Sequence, residues 1–289
     1  MKIDMVFTYC DGTDPEFIKK KEMYLKKGNE NKNLSIRYLN VDEIKFSVKS
    51  VLKFIPWINM IYIVTNDQIP PIEPNPKIKI IDHTEIIPEK YLPTFNSDVI
   101  ESFIHNIPDL TEIFMYNNDD VMHANYIKMN DIIKDNKLII RSHPLHLSMY
   151  TKDTKINEYD KRIYLTSKLF YNKDSKIKLI NNHHTKILRK STMKYIELNY
   201  LKLLHELRIN KTRNDNYIQY LFFCMNIDNI IYNNIILLHS KDVLEIQFTD
   251  KNYDNNSFKK ILKKRPKFLC LNDMNQTFKE PLKNLMNKL

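Results

Sequence analysis

Residues 112–120 read EIFMYNNDD and place a short apolar run directly before two adjacent acids. The run of Ile, Phe, Met and Tyr is typical of a buried β-strand. Asn and Asp favour the turn that ends a strand, yet adjacent carboxylates at such an end are also oxygen ligands for Mg²⁺ or Mn²⁺. The segment predicts a core strand, and it leaves both a structural turn and a metal site open for Asp119 and Asp120.

Strands and helices alternate along the chain before this segment. The apolar patterns predict strands over residues 3–10, 58–67 and 77–82, and helices over residues 41–55 and 96–106. A strand, a helix and a second strand in succession usually form a unit with parallel strands. We therefore expect an α/β fold in which roughly the first 125 residues carry a Rossmann-like, mostly parallel sheet.

The second half of the chain is less regular, and we expect it to contain a helical insertion. Its patterns predict helices over residues 187–208 and 215–226, a β-rich apolar stretch over 227–239, a last strand over 267–273 and an amphipathic tail over 278–289. No internal repeat divides the sequence. One compact domain is therefore expected rather than two.

The composition of the 289 residues excludes several classes of protein. Two glycines are too few for a P-loop or a dinucleotide-binding fingerprint, and three scattered cysteines indicate neither a zinc ribbon nor a disulfide framework. The formal net charge of +10 suits an anionic partner, or it reflects a composition rich in lysine and asparagine. No nucleic-acid-binding signature, signal peptide or membrane span accompanies it, so a soluble cytoplasmic protein is the default expectation.

Two further polar clusters follow predicted strands. Asp11-Gly12-Thr13-Asp14 comes after the first strand, where a glycine lets the backbone approach a ligand and neighbouring amides can donate hydrogen bonds. Asn272-Asp273 comes after the last strand. Because ligands of open α/β sheets bind at the carboxyl ends of the strands, these clusters could converge on one cleft with the acids. Their spacing leaves simple capped turns open as well.

A histidine pair and one arginine complete the candidates from residue type. His183 and His184 lie among basic residues. A histidine there can be a general base or a hydrogen-bond donor to a phosphate, or simply a surface polar residue. Arg213 opens a polar run before an aromatic stretch. It can clamp a phosphate through two hydrogen bonds or form an ion pair where a helix begins.

Taken together, these segments resemble the conserved regions of the Stealth family, in order and over nearly the whole chain. IDMVFTYCDGTDP, residues 3–15, is similar to a first region of the form IDVVYTWVDGSDP. Two segments resemble the second region: DEIKFSVKSVLKFIPWINMIYIVTNDQIP, residues 42–70, and LPTFNSDVIESFIHNIPDLTEIFMYNNDDV, residues 92–121. NHHTKILRKS and TRNDNYIQY resemble the third region, and KFLCLND resembles the fourth.

This resemblance implies transfer of a sugar-1-phosphate from a nucleotide sugar, commonly UDP-linked, to an acceptor hydroxyl. The phosphorus that carries the sugar is attacked, UMP leaves, and the product is a phosphodiester in a capsular or surface polysaccharide. The donor is expected to be a UDP-N-acetylhexosamine or a UDP-hexose, and the cofactor Mg²⁺ or Mn²⁺. The same resemblance implies a GT-A-like form of the predicted sheet.

The resemblance also assigns roles to individual residues. Nucleotide-sugar binding is assigned to Asp11, Gly12, Thr13, Asp14, Asn96, Ser97, Glu101, Asn118 and Asn272. Metal binding is assigned to Asp119, Asp120 and Asp273, and catalytic roles to His184, Arg213, Asp273 and Asp120. His184, or its neighbour His183, is expected to be the general base on the acceptor hydroxyl, with Asp273 as the competing candidate.

We expect residues 1–289 to form a single catalytic domain. Residues 1–125 would bind the nucleotide sugar, residues 126–262 would form the helical, acceptor-side insertion, and residues 263–289 would return a final strand and helix to the site. The expected partners are a nucleotide-sugar donor and a glycan acceptor, and no nucleic acid. The basic surface and amphipathic tail leave open a peripheral contact with the inner face of the membrane or with a capsule assembly.

Two other functions stay open at this point. A GT-A-type glycosyltransferase would use the same sheet and acids, but it would attack the anomeric carbon, release UDP and form a glycosidic bond. A non-catalytic glycan- or nucleic-acid-binding protein is compatible with the charge of +10, although acids at strand ends repel phosphate unless a cation lies between them.

Overall fold

The structure is a computed structural model, and it describes residues 1–24, 41–142, 145–146, 157–171, 176–177, 183–238, 240–248, 255–272, 274 and 276–289. The strands are β1 (Asp4–Thr8), β2 (Ile61–Thr65), β3 (Ile78–Asp82), β4 (Ile113–Asn118), β5 (Val121–Met122), β6 (Ile133–Lys134), β7 (Lys137–Ser142), β8 (Leu145–His146), β9 (Lys176–Ile177), β10 (Lys186–Arg189), β11 (Ile235–Leu238), β12 (Val243–Gln247) and β13 (Phe268–Asn272). The α-helices are α1 (Pro15–Tyr24), α2 (Glu43–Phe54), α3 (His83–Ile86), α4 (Ser97–Glu101), α5 (Glu158–Ser167), α6 (Lys190–Asn199), α7 (Leu201–Arg208), α8 (Tyr220–Tyr232), α9 (Asn255–Lys264) and α10 (Lys279–Lys288).

Five strands form the central sheet in the order β10–β4–β1–β2–β3. β1 pairs in parallel with β2 and β4, β2 pairs in parallel with β3, and only β10 runs antiparallel to its neighbour β4. Nearly all residues of β1, β2 and β4 are buried, as is typical of parallel strands that are covered on both faces. The prediction of an α/β fold with a mostly parallel sheet is confirmed.

The second half adds helices, the two-stranded sheet β8–β9 and two three-stranded sheets to this core. Helix α8 is buried from Tyr220 to Asp228 and packs against α6 and β10. One three-stranded sheet has the order β11–β7–β6, and the other has the order β12–β13–β5. In the latter, β13 runs antiparallel to β5, which follows β4 after two residues. This pairing returns the C-terminal part of the chain to the end of the central strand β4.

Two predicted elements of the second half are wrong in part, although α6 and α7 confirm most of the helix predicted over residues 187–208. Residues 186–189 form the edge strand β10, although the pattern predicted a helix from 187 onward. This segment pairs antiparallel with β4, and the pairing buries the charged residues at both of its ends. Residues 227–232 continue helix α8 instead of forming a strand. That helix ends at Asn233, whose φ of 49° is left-handed, and only β11 remains of the β-rich stretch.

The C-terminal helix α10 packs on the rest of the protein. Leu282, Leu285 and the terminal Leu289 belong to a second hydrophobic cluster with Met122 of β5 and Leu269 of β13. The apolar face of the amphipathic tail is therefore used inside the fold. Among the residues that the structure describes, no helix combines the length and the apolar character needed to cross a membrane.

Candidate active site

The strand-end acids lie where the central sheet meets the last strand. β4 ends at Asn118, and the pair Asp119-Asp120 follows it directly. Because β13 runs antiparallel to β5, Leu271 N donates to the Asp120 carbonyl at 3.1 Å. Cys270 Sγ lies 3.5 Å from Asp120 Oδ2. The last predicted strand is thus brought to the acids, a contact that spacing along the sequence could not establish.

Glu43, the first residue of α2, enlarges this acidic cluster; it lies in a segment that resembles the second region of the family, but no role was assigned to it. Its carboxylate accepts a hydrogen bond from Val41 N at 2.8 Å and is buried. Burial, and to a smaller degree the charge of Asp120, raises the pKa of Glu43 to about 7. Burial together with the charges of Glu43 and Asp120 raises the pKa of Asp119 well above its usual range. Each of these carboxylates therefore opposes the ionisation of the others.

The carboxylates of the acidic cluster are the candidate ligands for the predicted Mg²⁺ or Mn²⁺. Within the described ranges, no group of three or more His, Cys, Asp and Glu side chains is arranged to hold an ion. Asp119 and Asp120 offer two adjacent carboxylates, and Asp273 lies outside the described residues. Mg²⁺ is usually held by one or two carboxylates together with water and substrate phosphates, so this pair fits Mg²⁺ in that mode. A buried acidic cluster of this kind is also stabilised by any cation that neutralises it.

The loop from Asp11 to Asp14 is folded around its own side chains. Asp11 Oδ1 accepts from the Thr13 amide at 2.9 Å and from the Thr13 hydroxyl at 2.6 Å, with Gly12 in the turn between them. Gln68, after β2, accepts from Asp11 N at 2.9 Å and donates to Asp14 Oδ2 at 3.0 Å. The latter hydrogen bond is the main cause that lowers the pKa of Asp14. Gln68 therefore holds the predicted donor loop in place, a role that no sequence motif indicated.

The polar clusters reach the same edge of the sheet. β1 and β4 are adjacent strands, and burial followed by the charge of Asp119 raises the pKa of the Cys10 thiol at the end of β1. Asn272 ends β13, which pairs with β5 beside the acids. The first loop, the acids and Asn272 therefore surround one region. The predicted roles of Asp273 fall outside the described residues and stay predictions.

A pocket of about 70 Å³ opens beside this edge. It is smaller than the roughly 300 Å³ of a typical ligand site, so a larger ligand would extend from it along the open edge. Residues from the second and third conserved regions share its wall. The predicted residues among them are Ser97, Glu101, Asn118, His183, His184 and Arg213.

Glu101 lies in the wall of the pocket and is buried there. The Tyr116 hydroxyl lies 2.9 Å from Glu101 Oε1, from Asn118 Oδ1 and from Thr8 Oγ1. Burial, followed by the charge of Asp98, raises the pKa of Glu101 to about 8. This shift favours the protonated carboxyl group, and in that form Glu101 can donate a hydrogen bond to an oxygen of a ligand.

The raised pKa of Glu101 predicts a stability that depends on pH. Because the folded protein binds this proton more tightly than the unfolded chain, the contribution is complete at low pH and is lost as the pH rises towards about 8. Glu101→Gln keeps the shape of the protonated acid and cannot ionise. The unfolding temperature of the variant should equal that of wild type at about pH 5. At about pH 8.5 the variant should unfold at a higher temperature than wild type. Melting curves of both proteins measure this, and a difference that does not vary with pH would contradict it.

Arg213 is held against the start of helix α4. Its Nη2 donates to the Ser97 hydroxyl. Asn96 accepts from Asp98 N at 3.2 Å, and its amide donates to two carbonyls of residues 210–212 at 3.2 and 3.4 Å. Asn96 therefore caps the helix and fastens the loop that carries Arg213. The structure brings these three predicted residues together, and Asn96 and Ser97 position the guanidinium group.

A second arginine, Arg162 of α5, lines the same pocket and was not predicted. Its Nη1 forms a buried ion pair with Asp98 Oδ2 and donates to the Tyr217 hydroxyl at 3.2 Å. The other carboxylate oxygen of Asp98 accepts from Tyr220 N at 3.2 Å. These contacts connect helices α5 and α8 of the second half to α4, so they fix the wall of the pocket.

Asp98→Ala should destabilise the protein by about 3–5 kcal/mol, because it leaves the charge of Arg162 buried without its partner. The more exposed pair of Lys161 and Asp215, 2.6 Å apart, provides a matched comparison. Asp215→Ala should cost less than about 1 kcal/mol. Chemical denaturation of the two variants and wild type measures both values, and equal losses would show that burial does not determine the cost.

The two histidines differ in their surroundings. His184 is buried, with Nδ1 2.8 Å from Thr185 O and Nε2 3.2 Å from a carbonyl oxygen of β7. Burial, followed by the charge of Lys186, lowers the pKa of His184 to about 3. His183 is half-buried in the pocket wall and packs against Tyr159 with ring centroids 5.1 Å apart. This geometry favours an anchoring role for His184 and leaves His183 better placed as a base.

Lys186, the first residue of β10, is a further cation in the pocket, and no role was assigned to it from the sequence. Its Nζ donates to the His184 carbonyl at 2.7 Å, and its side chain is buried. Burial lowers the pKa of Lys186 to about 8, whereas the charges of Glu245 and Asp120 oppose this shift. Lys186 therefore lies within electrostatic reach of both the pocket and the strand-end acids.

The fold and this site define an α/β protein of the kind that binds ligands at the carboxyl edge of a parallel sheet. Superposition on the WbbM bifunctional glycosyltransferase gives a TM-score of 0.50 at 12% identity, covering 99% of this chain and 49% of that one. This likeness concerns the fold alone, and it agrees with the predicted GT-A-like sheet.

Sequence comparison identifies the family. Residues 37–140 match the family model described as Stealth protein CR2, conserved region 2. The chain is 30% identical to the capsular polysaccharide phosphotransferase cps12A of Actinobacillus pleuropneumoniae, over 99% of this chain and 80% of that protein. It is 45% identical to the capsular polysaccharide phosphotransferase LcbA of Aeromonas hydrophila, but that match spans only 46% of this chain and 39% of LcbA. The chain belongs to the Stealth family, as the sequence resemblance predicted.

Proposed function

We propose that this protein transfers a sugar-1-phosphate from a nucleotide sugar to a glycan hydroxyl and so forms a phosphodiester in a capsular or surface polysaccharide. Capsular polysaccharide phosphotransferases among its relatives support this class of reaction. We infer that the donor is a UDP-N-acetylhexosamine or a UDP-hexose and that the reaction takes place in the cytoplasm. The observation that carries the proposal is the position of Lys186, which lines the pocket together with Glu101 and Arg213 while its charge interacts with that of Asp120. The cations of the pocket and the acids of the strand end therefore form one site.

The side chains of this site can divide the work of phosphoryl transfer. Arg213 and Lys186 would stabilise the phosphoryl oxygens, over which charge spreads in the transition state. The protonated Glu101 would donate a hydrogen bond to the nucleotide sugar. The loop that Gln68 holds would bind the nucleotide sugar at the end of β1. Mg²⁺ or Mn²⁺ on Asp119 and Asp120 would neutralise the diphosphate from which UMP leaves.

His183 is proposed as the general base, on the side-chain positions described above. His183→Ala should lower turnover about a hundredfold and change donor binding little, because a base acts on the acceptor in the chemical step. His184→Ala should instead lower the unfolding temperature, since it removes a buried anchor. Turnover, donor binding and melting of both variants separate these roles. Loss of turnover in a well-folded His184→Ala with an unaffected His183→Ala would reverse the assignment, and two silent variants would favour Asp273.

A glycosyltransferase is the second candidate, because the fold likeness is to a protein of that kind. Incubation with a panel of UDP-sugars, Mg²⁺ and a neutral glycan acceptor distinguishes the two reactions by the nucleotide released. Phosphotransfer should release UMP, whereas glycosyl transfer would release UDP. UDP as the only nucleotide product would overturn the proposal. If none of the UDP-sugars reacts, the result would count against both the phosphotransferase and the glycosyltransferase function.

A further inference from the structure

A basic groove of about 320 Å³ runs between helices α2 and α10 and is separate from the pocket described above. Its cations are Lys45, Lys49 and Lys53 of α2 and Lys283 of α10. The three lysines of α2 are four residues apart, so their side chains lie along one face of the helix at intervals of about 6 Å. None of the nine residues that line the groove is acidic. Lys283 pairs with Glu280 at 3.5 Å, whereas the ion pairs found among the described residues include none of the three lysines of α2.

The floor of the basic groove is aromatic. Phe46 and Phe54 are buried, and Phe54 packs edge-to-face against Tyr126 with ring centroids 5.5 Å apart. Lys53 Nζ lies 5.5 Å from the centre of the Phe54 ring. Cations above an aromatic floor are complementary to a chain in which anionic groups alternate with rings that have apolar faces.

Helix α2 connects the basic groove to the candidate active site. Its buried face carries Glu43, which belongs to the acidic cluster, and Ser47, whose hydroxyl donates to the Asp119 carbonyl. Lys49 and Lys53 are exposed on the other side of the same helix. A chain bound along the lysines would therefore lie one helix away from the acids.

We propose that the basic groove binds a phosphodiester-linked glycan, the chain to which further sugar-phosphate units are added. The identity of this chain rests on the proposed function, whereas its chemistry follows from the groove. The phosphates would contact the lysines and the sugar rings would lie over Phe46 and Phe54. The concave shape suits a single extended chain better than a lipid surface, and the apolar face of α10 is already buried against the protein. Acceptors that already carry phosphodiesters should therefore bind more tightly than neutral ones.

Direct binding measurements on the full chain test this proposal. The probe is a short oligomer of hexosamine 1-phosphate joined by phosphodiesters, and the comparison ligand is a neutral oligosaccharide of the same length. Combined replacement Lys45→Gln, Lys49→Gln and Lys53→Gln should weaken binding of the probe about tenfold at low salt, and less at high salt. The matched control replaces Lys259, Lys260 and Lys263 with Gln on the exposed face of α9, and it should bind like wild type.

Three results would overturn the proposal: equal affinity of wild type and the α2 variant, an equal loss in the α9 control, or tighter binding of RNA or anionic vesicles than of the probe through the same lysines. Transfer to a short neutral acceptor should be the same in wild type and in both variants. If no protein transfers at all, the proposed function fails, but probe binding still decides whether the basic groove takes a phosphodiester chain.

Discussion

Replacing Asp120 with Asn should reduce sugar-phosphate transfer about a thousandfold and leave the protein folded. The substitution keeps the size of the side chain and removes the charge that would hold a divalent cation beside the donor diphosphate. Asp119→Asn should have an effect of the same order if its carboxylate is a direct ligand, and a smaller one if it orients a water or the acceptor. Turnover over a range of Mg²⁺ concentrations measures both.

Asp109→Asn is a suitable control for these variants. Asp109 is exposed and has a φ of 61°, a left-handed conformation that Asn adopts equally well. It should transfer at the wild-type rate. Excess chelator should abolish transfer by wild type. Full turnover in chelator, or near-normal rates in both site variants, would show that transfer does not depend on a divalent cation held by these acids.

Arg213→Ala should lower turnover by about 100- to 1000-fold, because the guanidinium group is proposed to meet the charge that develops on the transferred phosphoryl group. Donor binding should weaken much less. Arg213→Lys should recover only part of the rate, since an ammonium group cannot make two parallel hydrogen bonds. Ser97→Ala, which removes the hydroxyl that positions Arg213, should cost about tenfold. Separate measurement of turnover and donor affinity tests the series, and a wild-type rate in Arg213→Ala would contradict it.

The central sheet could be predicted because its strands are apolar runs bounded by turn residues. β1, β2 and β4 are short, continuous and buried, and each ends in Asn, Asp or Thr. β10 has no such pattern, since Lys186 and Arg189 at its ends are buried only through tertiary partners. Helix α8 was predicted to end too early because isoleucine and tyrosine in its last turns have high strand propensity, which the packing of the helix overrides.

The candidate site residues were taken from segments that resemble the regions of the family, but those segments did not show which of their other polar residues would contact the site. Glu101, Asn118 and Arg213 share one pocket although they come from separate segments of the chain. Glu43, Gln68 and Arg162 were missed, because their roles depend on contacts with residues far away in sequence. The general base shows the same limit. Residue type made His183 and His184 equivalent, whereas the burial of His184 and the carbonyl oxygens around its ring distinguish them in the structure.

The fate of the phosphate that carries the sugar tests the central claim most directly. A UDP-sugar labelled with ³²P in the sugar-linked phosphate is incubated with the protein, Mg²⁺ and a glycan acceptor, and the glycan is separated from the nucleotides. We predict that the label is recovered in the glycan as a phosphodiester and that unlabelled UMP is released in equal amount. Label that remains in UDP while the glycan gains only the sugar would contradict phosphotransfer and identify a glycosyltransferase.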